Sequence, residues 1–301
     1  MKNTHLEHPE DCILTGDLSV LDWMYESNSS ISVKIDGAPA IVWGTNPATG
    51  KFFVGTKSVF NKVKIKINES HEDIDANHQG NVAQILHCCL DSLPRIAGIV
   101  QGDFIGFGGL SEYTPNTITY KFPEVITQSI IIAPHTCYTA KNDLRDAVAQ
   151  PDFYLWLDTS HVKFVKPEAE ICPHRDDIED VCKFAKQMSM LCTFVNEKRA
   201  KVIKQVINRY IREGEQIDEV AEYDIASECE CDVNLIRLWK LVYSIKMDLF
   251  WFIERDDEIL CKIDGKQSDH EGYVMSNQFG TYKIVNRQQF SYANFNLAKN
   301  W

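Results

Sequence analysis

The 301-residue sequence has no apolar run approaching the roughly 18–20 residues of a membrane-spanning helix. Its opening, Met1-Lys2-Asn3-Thr4-His5-Leu6-Glu7, lacks the apolar region of a secretory signal, so a cytoplasmic setting is expected. Positive charge is scarce: 31 Lys and Arg against 43 Asp and Glu leave a net charge of −12. Proteins that grip long nucleic acid carry net positive charge or a concentrated basic patch, so the balance counts against extensive duplex binding. One stretch departs from it, since residues 51–66 hold Lys51, Lys57, Lys62, Lys64 and Lys66 and no acid. There is no internal repeat and no low-complexity tract, which excludes a repeat array.

What is present suffices for a globular fold. A hydrophobic content of 44% with 11% aromatics supplies a packed core, and the length allows one large or two modest domains. Ten cysteines without a secretory signal read as reduced thiols. Cys172-Pro173-His174 and Cys229-Glu230-Cys231 pair potential zinc ligands, but each is one residue short of a C-x2-C hook and Cys88-Cys89 forms none. No structural zinc site is expected.

The chemistry concentrates in Ser32-Val33-Lys34-Ile35-Asp36-Gly37-Ala38-Pro39-Ala40, set between apolar runs that read as strands. Residues two apart on an extended chain share a face, which pairs Lys34 with Asp36. Burial disfavours the ammonium and is expected to lower the Lys34 pKa towards a neutral, nucleophilic amine. Gly37 is expected to permit a turn and close ligand approach.

Around this stretch, Asp17 is a candidate N-cap for a short helix with Leu18, Leu21, Trp23 and Met24 on its apolar face. Residues 31–67 read as a β-meander, ending in a strictly alternating strand, Lys62-Val63-Lys64-Ile65-Lys66-Ile67, with three lysines on one face. That face is either a solvated surface or a phosphate contact. Residues 68–80 read as a loop and Val82–Leu90 as a helix stopped by Pro94. The apolar strand from Ile96 stops at Gly102-Asp103. Tyr120 and Phe122 lie in strand material before the apolar run Ser129–Pro134. Helical periodicity over 176–212 and Val233–Ile253, around the acidic Glu213–Glu230, marks residues 168–258 as an inserted helical subdomain. At the end, His270-Glu271-Gly272-Tyr273-Val274-Met275 and Thr281-Tyr282-Lys283-Ile284-Val285 read as two strands joined through Gly280.

Lys34-Ile35-Asp36-Gly37 resembles the K-x-D-G nucleotidyl-acceptor motif of the covalent nucleotidyltransferases, the superfamily of ATP-dependent DNA and RNA ligases and mRNA-capping enzymes. Gly102-Asp103, Glu271-Gly272 and Lys283 follow in the order of that superfamily's third, fourth and fifth motifs. The likeness covers about 31–140 and 262–290. The same four letters recur at Lys262-Ile263-Asp264-Gly265, only nine residues before Glu271, with no room for the third motif between them; Lys262 is expected in a turn. The resemblance implies catalytic roles for Lys34, Asp36 and Lys283, and a nucleotide site of Val33, Ile35, Gly37, Lys57, Asp103, Phe122, Glu271 and Lys283. It implies ATP as donor and Mg²⁺ held through Asp103 and Glu271. Either Phe122 or Tyr120 would stack on the base.

Three departures shape what carries over. Val285 stands where a second lysine is usual, with Arg287 as a possible replacement. Glu271 stands 168 positions after Asp103, which the helical insertion explains, and only 18 residues follow Lys283. The missing C-terminal OB domain and sixth motif argue against capping and duplex nick sealing, which makes an RNA ligase the nearest reading. The wording from His8-Pro9-Glu10-Asp11 through Ala40 is also similar to uncharacterised proteins of large tailed phages, for which the compartment would be host cytoplasm.

The expectation is therefore an α+β protein with a ligase-type nucleotidyltransferase fold. Residues 1–167 and 259–301 would form the adenylation domain and 168–258 the insertion, which would bind substrate or a protein partner. Its function would be RNA end joining through a covalent lysyl-AMP. The alternatives are a nucleotide-binding adaptor that has lost turnover, or an adenylyltransferase acting on a protein or small molecule.

Overall fold

A computed structural model describes residues 6–151, 156–172, 176–255, 257–288 and 290. The described residues form an α+β architecture of three largely antiparallel sheets with flanking helices. The first sheet runs Ile253–Arg255, Glu168–Ile171, Ser30–Val33, Gly272–Asn277, Gly280–Val285. The second runs Phe52–Gly55, Ala40–Thr45, Ile99–Phe107, Ile130–Thr139, Val148–Pro151, with Val162–Phe164 added parallel to Ile130–Thr139. A small third sheet joins Lys266–Ser268, Leu260–Ile263, Ile118–Lys121 and Glu112–Tyr113.

The expected β-meander over 31–67 is not formed. Ser30–Val33 pairs with Gly272–Asn277 and Glu168–Ile171, whereas Ala40–Thr45 pairs with Phe52–Gly55 and Ile99–Phe107. The chain therefore leaves one sheet at Val33 and enters another at Ala40. Lys34, Asp36 and Gly37 lie on the crossing.

The alternating lysine strand is also absent. Residues 62–67 are irregular, Lys64 has φ +57°, and Val63 is exposed, so the period-two pattern has no neighbouring strand to pair with. The stretch 68–80, read as a loop, contains the helix His71–Asn77. Ser70 and Asp73 close a reciprocal capping box at its start, each side chain accepting an N–H of the other's backbone. The next helix, Gly80–Ser92, turns Ile85, Leu86 and Cys89 onto the second sheet.

The helices Asp176–Ser189, Glu197–Glu213, Glu219–Glu228 and Val233–Trp251 fall between two paired strands of the first sheet, Glu168–Ile171 and Ile253–Arg255. Asn196, Asp218 and Asp232 cap the last three by accepting backbone N–H groups. Their apolar faces share one core with that sheet, in which Ile203, Leu235 and Trp239 pack with Ile31 and Met275.

That core also encloses charge. Lys246 and Glu10 are fully buried and 2.7 Å apart, and Arg287 reaches Glu10, Asp11 and Asn208 at 3.0, 3.0 and 2.7 Å. Trp239 donates its indole N–H to Asp11. Arg287, considered above as a stand-in for a second phosphate-binding lysine, is spent on this network. It joins the N-terminal turn Pro9–Cys12 to the helices.

All ten cysteines are free thiols, and Cys229 is buried in the core. Pro173 and His174, half of one pairing weighed for zinc, lie outside the described residues. Among the described residues, no helix is long and apolar enough to cross a membrane.

Candidate active site

The crossing segment is fixed by backbone hydrogen bonds at both ends. The Lys34 N–H donates to Gly272 O at 2.8 Å, the Ala38 N–H donates to Phe104 O, and the Phe104 N–H donates to Pro39 O. The first of these bonds brings Lys34 beside Glu271, which precedes the strand Gly272–Asn277. The Lys34 ammonium donates to Asp36 Oδ1 at 2.7 Å and to Glu271 Oε2 at 2.6 Å. Asp36 is itself held: Asn116 donates to its Oδ2 at 2.5 Å, and its own N–H donates to the Tyr120 hydroxyl at 2.8 Å.

These contacts set the protonation states. Burial of Lys34 favours the neutral amine, but the charges of Asp36 and Glu271 outweigh it and raise the pKa above the ordinary lysine range. The expectation of an amine neutralised by burial is thus corrected; two carboxylates hold the ammonium. Burial works against the Asp36 carboxylate too, yet Lys34 overrides it and holds its pKa below the usual range. For Glu271 burial prevails and the pKa is raised. Lys283, on the strand Gly280–Val285, has its pKa lowered, by burial first and then by the Lys34 charge.

One cleft between the first and second sheets is lined by Val33, Lys34, Ile35, Asp36, Lys57, Asp103, Glu271 and Lys283. These are eight of the ten candidate residues. Lys57 opens the turn Lys57–Phe60 and is exposed at the cleft edge. Asp103 is not at a strand end as expected. The strand continues to Phe107, and Asp103 sits inside it, opposite Ala40 and Ala133.

The other two candidates have different jobs. A Cβ on Gly37 would lie 2.3 Å from the Phe104 carbonyl oxygen, so this glycine lets the crossing segment pack against the second sheet. Close ligand approach is not what its missing side chain provides. Phe122 is a correction: 3% exposed, it packs edge-on to Tyr113 with centroids 5.8 Å apart, outside the cleft. Tyr120, the other stacking candidate, is fully buried and its hydroxyl positions Asp36.

The cleft also holds residues that the motifs do not mark. The Tyr138 hydroxyl donates to Gln101 Oε1 at 2.8 Å, Gln101 Nε2 lies 3.3 Å from His135 Nε2, and His135 Nδ1 lies 2.7 Å from Thr136 Oγ1. Gln101 was within reach of sequence reasoning, since it stands two residues before Asp103 and shares its strand face. His8 lines the cleft from the N-terminal segment; burial first, and then the charge of Arg287, depress its pKa well below the usual histidine value. No local pattern marks it.

Lys262 is on the strand Leu260–Ile263, and only Asp264 and Gly265, with φ of +50° and +72°, make the turn. Its ammonium pairs with the exposed Glu112 at 2.7 Å. The second K-x-D-G is a hairpin.

Hard oxygen donors suit Mg²⁺, which takes one or two carboxylates together with substrate phosphates. Asp103 fits that demand, because its nearest partners are the Gly37 N–H at 3.4 Å and His135 Nε2 at 3.7 Å, leaving acceptor capacity open to the cleft. Among the described residues no three ligating side chains converge on one point, so the protein alone offers no complete cage. Glu271, the second expected ligand, is engaged by Lys34.

The model of a family of unknown function, DUF6267, matches residues 3–233 and 221–299. The chain belongs to this family. No curated protein and no solved structure matches the chain.

Proposed function

We propose that this protein is a covalent nucleotidyltransferase of the ligase type, in which Lys34 takes AMP from ATP and passes it to the 5′-phosphate of an RNA end. The observation that carries the reading is the Lys34 ammonium held between Asp36 and Glu271, with Lys283 and Lys57 in the same cleft. A lysine nucleophile must shed a proton, and because the two carboxylates favour the ammonium at rest, that step has to accompany nucleotide binding and attack. Asp36, held ionised by Lys34 and gripped by Asn116, orients the amine. Glu271, the more readily protonated, accepts the proton at 2.6 Å.

The freed amine attacks the α-phosphorus; an N–P bond forms and the P–O bond to pyrophosphate breaks. Lys283 and Lys57 supply positive charge for the phosphates. Mg²⁺, when bound, would neutralise phosphate charge, with Asp103 as its protein carboxylate. The AMP then moves from Lys34 to a 5′-phosphate, and a 3′-hydroxyl displaces it to close the phosphodiester.

One observation favours a second reading. Val285 and the sequestered Arg287 leave the cleft without the second strand cation, which suits a nucleotide-binding protein of reduced turnover. Incubation with Mg²⁺ and ATP radiolabelled in its α-phosphate tests the first reading, followed by chase with 5′-phosphorylated RNA. Label on the protein that moves to RNA supports it. Label that stays put, or moves to a protein acceptor, rules out RNA as substrate, and absence of label favours the binding protein.

A further inference from the structure

On the face of the second sheet away from the cleft, the helices His71–Asn77 and Gly80–Ser92 form a hairpin joined through His78-Gln79. Each carries a His and an Asp four residues apart, His71 with Asp75 and His87 with Asp91, so each pair shares a helix face. The pairs cross. His71 Nε2 lies 3.0 Å from Asp91 Oδ1 and His87 Nε2 lies 3.0 Å from Asp75 Oδ1. The rings stack with centroids 5.0 Å apart, and the two Nδ1 atoms face each other at 2.7 Å.

A carboxylate only accepts, so each Nε2 that bonds one carries a hydrogen, and a ring with a single hydrogen then has none on Nδ1. Both Nδ1 lone pairs then point at the same spot. Two lone pairs at that separation need a cation between them, which a shared proton or a metal ion supplies. Carboxylate–imidazole pairs with the second ring nitrogen turned to a common point are the outer shell of a histidine metal site.

We infer that His71 and His87 bind a divalent transition metal of the zinc class through their Nδ1 atoms, with Asp91 and Asp75 as outer partners and water completing the shell. Metal–nitrogen bonds of about 2.0–2.1 Å in tetrahedral geometry place the nitrogens about 3.3 Å apart. The rings must therefore separate by about 0.6 Å. Both side chains are on the helix surface, with 47% of His71 and 29% of His87 accessible, so this adjustment is open to them. Two imidazoles prefer such a metal over Mg²⁺, which seeks oxygen. The bound ion would clip the hairpin shut behind the sheet that carries Asp103. This site is independent of the nucleotidyl-transfer reading.

The test is a Co²⁺ titration of the full chain followed by absorption, with Zn²⁺ as competitor and excess Mg²⁺ present. Co²⁺ separates imidazole from thiolate ligation, which matters in a chain with ten free cysteines. One equivalent should bind without a thiolate charge-transfer band, be displaced by Zn²⁺ and raise the melting temperature. Affinity should fall at least tenfold in His87→Gln and His71→Gln, and by about tenfold in Asp75→Asn. The exposed positions should leave the metal-free melting temperature of the variants near wild type. Binding unchanged in both histidine variants, or accounted for entirely by thiolate ligation, overturns the proposal. So does absence of binding at millimolar metal, which would assign the bridge to a shared proton.

Discussion

Glu271 Oε2 lies 2.6 Å from Lys34 Nζ although 237 positions separate them in the chain. Gly272 O, accepting the Lys34 N–H, makes that approach a consequence of strand pairing between Ser30–Val33 and Gly272–Asn277. In the proposed reaction Glu271 is the acceptor for the proton that leaves Lys34. Replacing Glu271 by Gln should slow label formation by about 10²-fold or more, the usual contribution of a positioned base. The remaining activity should also change its pH dependence. With one anion gone the Lys34 pKa falls, so the rise of rate with pH should move to lower pH while the plateau drops. A lower plateau with an unmoved profile would mean that Glu271 acts on the nucleotide alone.

Gly37→Ala places a Cβ against the Phe104 carbonyl oxygen at 2.3 Å. Overpacking of this kind costs about 1–3 kcal/mol. The melting temperature should drop accordingly, and labelling should fall because Lys34 and Asp36 move with the segment. Thermal denaturation with the labelling assay on the same preparation checks both.

Removing Arg287 leaves Glu10 and Asp11 as buried anions, with Lys246 as the remaining cation near Glu10. Breaking a buried pair from one side typically costs 3–5 kcal/mol, so Arg287→Met should be strongly destabilised in urea titrations at pH 7. Lys262→Ala removes only an exposed ion pair with Glu112 and should stay within about 0.5 kcal/mol of wild type.

His270 is buried, and its pKa is pushed down to about 3 by burial, then by the Arg255 charge. Unfolded, it titrates near 6.5. Between those values the unfolded chain binds the extra proton, so stability falls as pH drops from about 6.5 towards 3, by up to about 1.4 kcal/mol per pH unit from this residue. His270→Asn should flatten that slope in melting curves taken from pH 7 to pH 4.

The local parts of the site were legible. Two-residue spacing placed Lys34 beside Asp36, and motif order brought Glu271 and Lys283 to the same cleft. The crossing from one sheet to another at 34–39 was not, because adjacent strands in a sequence read as a hairpin unless their partners are known. The Lys62–Ile67 alternation misled for the same reason, since a period-two pattern forms a strand only where an edge is available to pair. The helix His71–Asn77 did leave a sign, the Ser70-to-Asp73 capping spacing, which polar composition obscured. Glu10, Lys246 and Arg287 are charges at the core of the fold, and only three-dimensional pairing makes their burial tolerable. Phe122 shows the limit of motif position: an aromatic in the expected stretch went to the core, while Tyr138 reached the cleft.

The most direct test of the central claim is peptide mapping of the protein after incubation with Mg²⁺ and ATP radiolabelled at the α-phosphate, with Lys34→Ala and Lys262→Ala run in parallel. An acid-labile AMP adduct on the peptide containing Lys34, lost in Lys34→Ala and kept in Lys262→Ala, is the predicted result. An adduct on Lys283 or Lys262, or no adduct with a folded, ATP-binding protein, would contradict it.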